Sequence, residues 1–316
     1  MAKINRREVE FQSKGVTCRG FLKTPEGEGP FPLLVMAGGW AYTKEIVMPE
    51  YSDFFVEAGC ACLVFDYQNF GTSDGVPRQH ADPWLQIEDY RNAITFAEQL
   101  PEIDEDRIGV WGISYSGGHV LILGAIEPRI KCIVSNIPLI DGALTLRIGH
   151  GEARYREFQK FLLENRRERF NNPDAESKIL MSSPTPFTEM CHWPYPDVYE
   201  GFMKLKETVA PNHEHWTTVE SSELCELYNV YPYVRRIVDI PTMMVIAEKD
   251  TLTMWDQETD AFNQILTPKK KLVVLPEISH MSLYGDISKV EYASRQTIPW
   301  LVEHLVNRPS TKNKGK

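Results

Sequence analysis

The sequence predicts an α/β protein: a mostly parallel, doubly wound sheet of about eight strands, interrupted by one long insertion. Two observations carry this reading. Short, continuously apolar runs recur at 33–36 (LLVM), 61–66 (ACLVFD), 108–111 (IGVW), 129–135 (RIKCIVS), 241–247 (PTMMVIA) and 271–275 (KLVVL). Unbroken apolarity marks strands buried on both faces, as parallel strands are. Most of these runs are separated by helix-length amphipathic stretches, the βαβ rhythm of a parallel sheet. That rhythm stops after Asp141 and resumes only at Pro241.

Each element has a local reason. Residues 9–12 and 18–23, separated by Ser13-Lys14-Gly15, suggest an antiparallel hairpin. The Pro/Gly-rich residues 24–32 form a loop, and the 33–36 strand ends at Ala37-Gly38-Gly39-Trp40. A helix is expected over 44–58, closed by Gly59. The 61–66 strand runs into a polar turn, NFGTSDG, at 69–75. Asp82-Pro83 opens a helix to about residue 100, with Asp as N-cap and Pro at the first helical position. Ile87, Tyr90, Ile94 and Ala97 keep its apolar face. Helices are expected again from about 117, over 254–266 and over 287–306, and a disordered tail over 309–316.

The stretch RIGVWGISYSGGH at 107–119 carries the chemistry. A strand stops near Gly112 and a helix begins a few residues later, with Ser114 at the turn between them. Such a strand–turn–helix context is required of a nucleophile elbow, where crowded backbones demand small residues on both sides of the serine. Ser116 also fits the small-x-Ser-x-small spacing, but Gly112 suits the crowded position before Ser114 better. Asp250 and His280 follow the last two predicted strands, at the carboxyl edge where open α/β sheets place their sites. A serine hydroxyl needs an adjacent base. His280 is the candidate base and Asp250 the candidate for fixing its tautomer. For an oxyanion hole, the backbone amides of Tyr115 and Trp40 are nominated, with side-chain donation from Tyr42 or Lys44 as a weaker alternative.

Residues 1–140 and 239–308 thus read as the catalytic core. Residues 141–238 read as an inserted cap, helical in patches. Within it Trp193, Tyr195, Tyr199 and Phe202 stand too close to prolines to form one helix face, and suit the lining of a substrate groove. His213 and His215 lack an identifiable third ligand, so a metal site is not expected. No G-x-G-x-x-G opens a βαβ unit, so no dinucleotide cofactor is expected. Asp66 ends a strand, but as a nucleophile it would leave the elbow unexplained. The chain has 42% hydrophobic and 25% charged residues and a net charge of −10. These values suit a globular protein acting on a small molecule and do not point to nucleic acid. No apolar run reaches membrane-spanning length, and the charged start MAKINRREVEF lacks a signal core. The six cysteines form no CxxC, which fits reduced thiols in a cytoplasmic protein. A homodimer is left open.

Four stretches carry a family resemblance: DEDRIGVWGISYSGGHVL at 104–121, FGTSDG at 70–75, AEKDTLT at 247–253 and SHMSLYG at 279–285. Through them the chain resembles α/β-hydrolases of the dienelactone-hydrolase-like group, and most of all the branch that includes fungal polyketide transferases. The resemblance implies the α/β-hydrolase fold, Ser114, Asp250 and His280 as a triad, and an acyl-transfer reaction without a cofactor. Gly38-Gly39 and Gln68-Asn69 depart from the His-Gly and Arg-Gly pairs usual in that branch. The expected activity is cleavage of an ester, lactone or related activated carbonyl bond of a small apolar or polyketide-like substrate through an acyl-enzyme. An acyltransferase or a β-diketone (C–C bond) hydrolase would use the same residues. A peptidase is less expected, and a catalytically silent hydrolase-fold binding protein is the alternative from another class.

Overall fold

The computed structural model describes residues 4–173, 175 and 177–310. The first three residues of the expected core and residues 311–316 of the expected tail lie outside these. β1 (Asn5–Ser13) and β2 (Val16–Thr24) pair antiparallel around Lys14 and Gly15, both at positive φ. Two such residues give the turn whose twist matches that of a hairpin. β3 (Phe31–Ala37) follows, then α1 (Met48–Glu57) and β4 (Ala61–Phe65). The expected helix over 44–58 starts four residues late. Val47 is left-handed, with φ 57°, and the Lys44 amide is drawn to the Asp66 carboxylate at 2.7 Å instead of into a helix.

α2 (Pro83–Ala97) is capped by Asp82, which accepts from the Trp84 and Leu85 amides. β5 (Ile103–Ile113) runs past Gly112, and α3 (Tyr115–Ile126) begins directly after Ser114 rather than at 117. β6 (Ile130–Asn136) closes this half of the sheet. Residues 141–238 then form α4 (Gly142–Asn171), broken at Gly151 (φ 69°, ψ 158°), β7 (Lys178–Ser182), β8 (Cys191–Trp193), α5 (Pro196–Thr208), β9 (Trp216–Thr218), α6 (Val219–Glu226) and α7 (Tyr231–Val234). Helical patches were the expectation here; α4 to α7 are helical, and the small sheet ordered β8-β7-β9 stands beside them, unforeseen. Strands of three residues are too short to show a period of two.

β10 (Thr242–Ala247), α8 (Trp255–Gln264), β11 (Lys270–Leu275), α9 (Ser282–Gly285) and α10 (Ile287–Leu301) complete the chain, with a π-helical turn at Val302–Val306. The main sheet is ordered β1-β2-β4-β3-β5-β6-β10-β11, parallel from β4 onward. α1 packs with α10, while α2, α3, α7 and α8 form a second chain of contacts, so the sheet is wound on both faces. Every residue of β4 and β10 is buried, as their unbroken apolarity predicts. Their burial fixes the sheet's carboxyl edge, where the loops after β3, β5, β10 and β11 converge. All six cysteines are buried and unpaired. Among the described residues no helix is long and apolar enough to cross a membrane.

Candidate active site

Ser114 sits between β5 and α3 at φ 60°, ψ −117°, a conformation that L-residues adopt only when their surroundings impose it. The surroundings here are backbone. The Ser114 amide donates to Asn136 O at 2.9 Å, and its carbonyl accepts from Leu139 at 2.9 Å and Gly118 at 3.3 Å. A Cβ on Gly112 would come within 2.2 Å of Ser116 O, and one on Gly117 within 2.8 Å of Asn136 O. The turn closes only with glycine at those positions. Ser116, the competing serine, is fully buried and its hydroxyl is occupied: it accepts from the Ile113 amide at 2.8 Å and reaches Ala37 O at 2.8 Å. Ser116 ties the turn to β3, while Ser114, though buried, lines a pocket.

Asp250 and His280, on the loops after β10 and β11, are brought together. His280 Nδ1 lies 2.7 Å from Asp250 Oδ2. Asp250 Oδ1 accepts from the amides of Leu252 (2.8 Å) and Thr253 (3.0 Å), and Oδ2 also accepts the Thr253 hydroxyl (2.9 Å). Burial pushes the Asp250 carboxyl up, but His280 and these donors outweigh it and hold it below the usual carboxylate range. Behind Thr253, at 3.2 Å, stands Glu258, fully buried on α8. Burial, with the Asp250 charge, raises its carboxyl well above the usual range. Thr253 has one hydroxyl proton, which goes to the charged Asp250. Neutral Glu258 is the group that can supply its own proton to the Thr253 oxygen. Thr253 stood within the AEKDTLT stretch, but no sequence signal marked Glu258.

Ser114 and His280 line one small pocket, about 10 Å³, with Trp40, Trp193, Phe202 and Tyr284. The loop carrying Gly38, Gly39 and Trp40 lies against the serine: a Cβ on Gly39 would come within 3.1 Å of Ser114 Cβ. Tyr115 opens α3, so its amide belongs to the first turn, which has no intrahelical acceptor. Lys44 is removed as an oxyanion donor, because its ammonium is ion-paired with buried Asp66 at 2.7 Å. Tyr42 remains in the pocket wall. Of the four aromatics expected to line a groove, Trp193 and Phe202 do so. Tyr195 instead donates to Thr251 O at 3.1 Å, and Tyr199 packs edge-on to His215, both outside the pocket wall. The four do not share one helix face: Trp193 lies in β8 and Tyr195 precedes α5, while Tyr199 and Phe202 share α5, where Pro196 occupies the first turn and a missing N–H costs nothing. His213 and His215 bond to each other at 3.1 Å, and His215 to Ser182 at 2.8 Å. Tyr284 carried no signal of its own in the sequence.

Residues 19–281 match the profile of the X-Pro dipeptidyl-peptidase (S15) family. The chain belongs to this family. Its relatives include the thiohydrolase aneE of Aspergillus aculeatus, 33% identical over 83% of each chain. The polyketide transferase grgF of a Penicillium species is 27% identical over 91% of this chain and 94% of its own. The crystal structure of that α/β-hydrolase superposes with a TM-score of 0.78 over 95% of this chain and 99% of its own, at 24% identity. The quorum-quenching protein AidA of Acinetobacter baumannii is 42% identical, but over only 43% of this chain and 44% of its own. The α/β-hydrolase fold and the resemblance to the polyketide-transferase branch are thereby borne out. The S15 chain is an enzyme of the hydrolase and acyltransferase class.

Proposed function

We propose that the protein is a serine hydrolase that cleaves an ester, thioester or lactone of an apolar acyl compound through an acyl-enzyme on Ser114. The observation that carries this is the strained Ser114 turn opening into the same pocket as His280, whose Nδ1 is bound to Asp250. In the reaction Ser114 Oγ bonds to the substrate carbonyl carbon while its proton passes to His280 Nε2. The carbonyl electron pair moves onto oxygen, where the Trp40 and Tyr115 amides donate to it. Collapse expels the alkoxide or thiolate, which takes the proton from His280. Water then repeats the sequence and releases the acid. Asp250 keeps the Nδ1 proton in place and stabilises the imidazolium.

Residues 141–238 act as the cap over this site, with Trp193 and Phe202 shaping the acyl pocket and excluding water. A second reading, acyl transfer to an alcohol, is supported by the likeness to the polyketide transferase grgF and needs only a different acceptor for the same acyl-enzyme. Incubation with a panel of acyl thioesters and esters, with and without added alcohols, separates the two by product mass. Free acid alone is expected from the hydrolase. Acyl ester formed at the expense of acid would favour the transferase, and peptide cleavage without acyl-ester turnover would reject both.

A further inference from the structure

The Ser114 pocket, about 10 Å³, has room for roughly one water. No acyl substrate fits it as it stands, so part of its wall must yield. Two of its wall residues, Met281 and Tyr284, also form the wall of a second cavity, about 200 Å³, that opens to solvent between α5, α9 and the start of α10. That groove is apolar along its length, with Val47, Leu205, Val209, Ile287 and Val290, and Glu50 and Lys204 beside them. Val209 and Ile287 are exposed apolar side chains, at 42% and 57%. The two cavities are therefore separated by one layer of side chains.

That layer is built to move at one point. Met281 is only partly buried, and its terminal methyl rests on α5 where Gly201 leaves room: a Cβ on Gly201 would come within 2.7 Å of it. Methionine, unbranched with three rotatable side-chain bonds, can swing without disturbing backbone. Tyr284 is fixed by comparison, with its ring stacked on His280 at 5.5 Å.

We propose that this groove receives the apolar acyl chain of the substrate. Rotation of Met281 joins it to the Ser114 pocket, so that the chain lies between α5 and α10 and the carbonyl sits at Ser114. This rests on the acyl-enzyme reading above and adds to it a substrate class, elongated apolar acyl compounds, and a selectivity device. Thr208, on the groove away from Ser114, is the position at which to fill it.

The test compares acetyl and octanoyl p-nitrophenyl esters in the wild type, Thr208→Trp and Gly201→Leu, with melting temperature as the check on folding. The octanoyl-to-acetyl ratio of kcat/KM is expected to fall at least tenfold in both variants. A ratio unchanged within twofold, or equal losses on both esters, overturns the proposal. A second measurement needs no turnover: 2-decanone binding to Ser114→Ala, read by tryptophan fluorescence, with and without Thr208→Trp. A tenfold weakening upholds the groove even if no ester is cleaved, which would reject only the hydrolase reading. Binding insensitive to Thr208→Trp rejects the groove whatever the chemistry.

Discussion

Asp250→Asn isolates the role assigned to the carboxylate, because the surrounding donors dictate how the amide must sit. Oδ1 of Asp250 receives two backbone amides, from Leu252 and Thr253. The asparagine carbonyl oxygen must take that place, since an NH2 group there would face two N–H donors. Its NH2 then faces His280 Nδ1, 2.7 Å away in the parent. The imidazole must accept at Nδ1 and so carries its proton on Nε2, the atom that should receive the serine proton. In serine proteases with this triad, the wrong tautomer costs about 10⁴-fold in kcat. That is about 5.5 kcal/mol of transition-state stabilisation. The fold should tolerate the change, because Thr253 can accept from the new NH2 and turn its own proton to Glu258, 3.2 Å away. Steady-state kinetics on an ester, beside a thermal melt, reads both quantities. A loss under tenfold with an unchanged melt would mean that another group orients the histidine.

Ser116→Ala leaves the buried Ile113 amide unpaired and should cost about 1–3 kcal/mol in denaturant unfolding, while an active-site label still attaches to Ser114. Burial pushes His119 down to about 3, and both its ring nitrogens are engaged, by Tyr228 and Gln86. Its folded value lies below its unfolded one, so its contribution is intact above about pH 6.5 and is lost as pH falls through 6.5 toward 3. Urea unfolding should show about 2 kcal/mol of this loss at pH 5, and a shallower pH dependence in His119→Gln; parallel profiles would contradict it. Trp193→Ala removes a buried ring packed on Trp40 and should cost about 3 kcal/mol while reordering acyl substrates by kcat/KM. An unmoved order would leave Trp193 with a purely structural role.

What the sequence disclosed follows from the range of the forces involved. β4 and β10 were legible because burial on both faces leaves an unbroken apolar run. The hairpin was legible because Lys14-Gly15 chooses its own turn. Asp250 and His280 were legible as polar residues ending such runs. The start of α1 was not, because Asp66, a distant partner in the chain, takes the Lys44 amide. Gly112 already favoured Ser114 over Ser116, but the Ala37 carbonyl of β3 that occupies the Ser116 hydroxyl is a partner no local pattern reveals. β8 and β9 are three residues each, too short for periodicity. Thr253 meets Asp250 within one loop, but Glu258 reaches Thr253 only because α8 packs against β10, and the different positions of Tyr195, Tyr199 and Phe202 depend on how α5 docks.

The central claim is that Ser114 is the nucleophile activated by His280. A fluorophosphonate probe, followed by digestion and peptide mass mapping, tests it most directly. The account predicts a single adduct on Ser114, abolished in Ser114→Ala, slowed in His280→Ala and retained in Ser116→Ala. An adduct on Ser116, or none on the folded wild type, would contradict it.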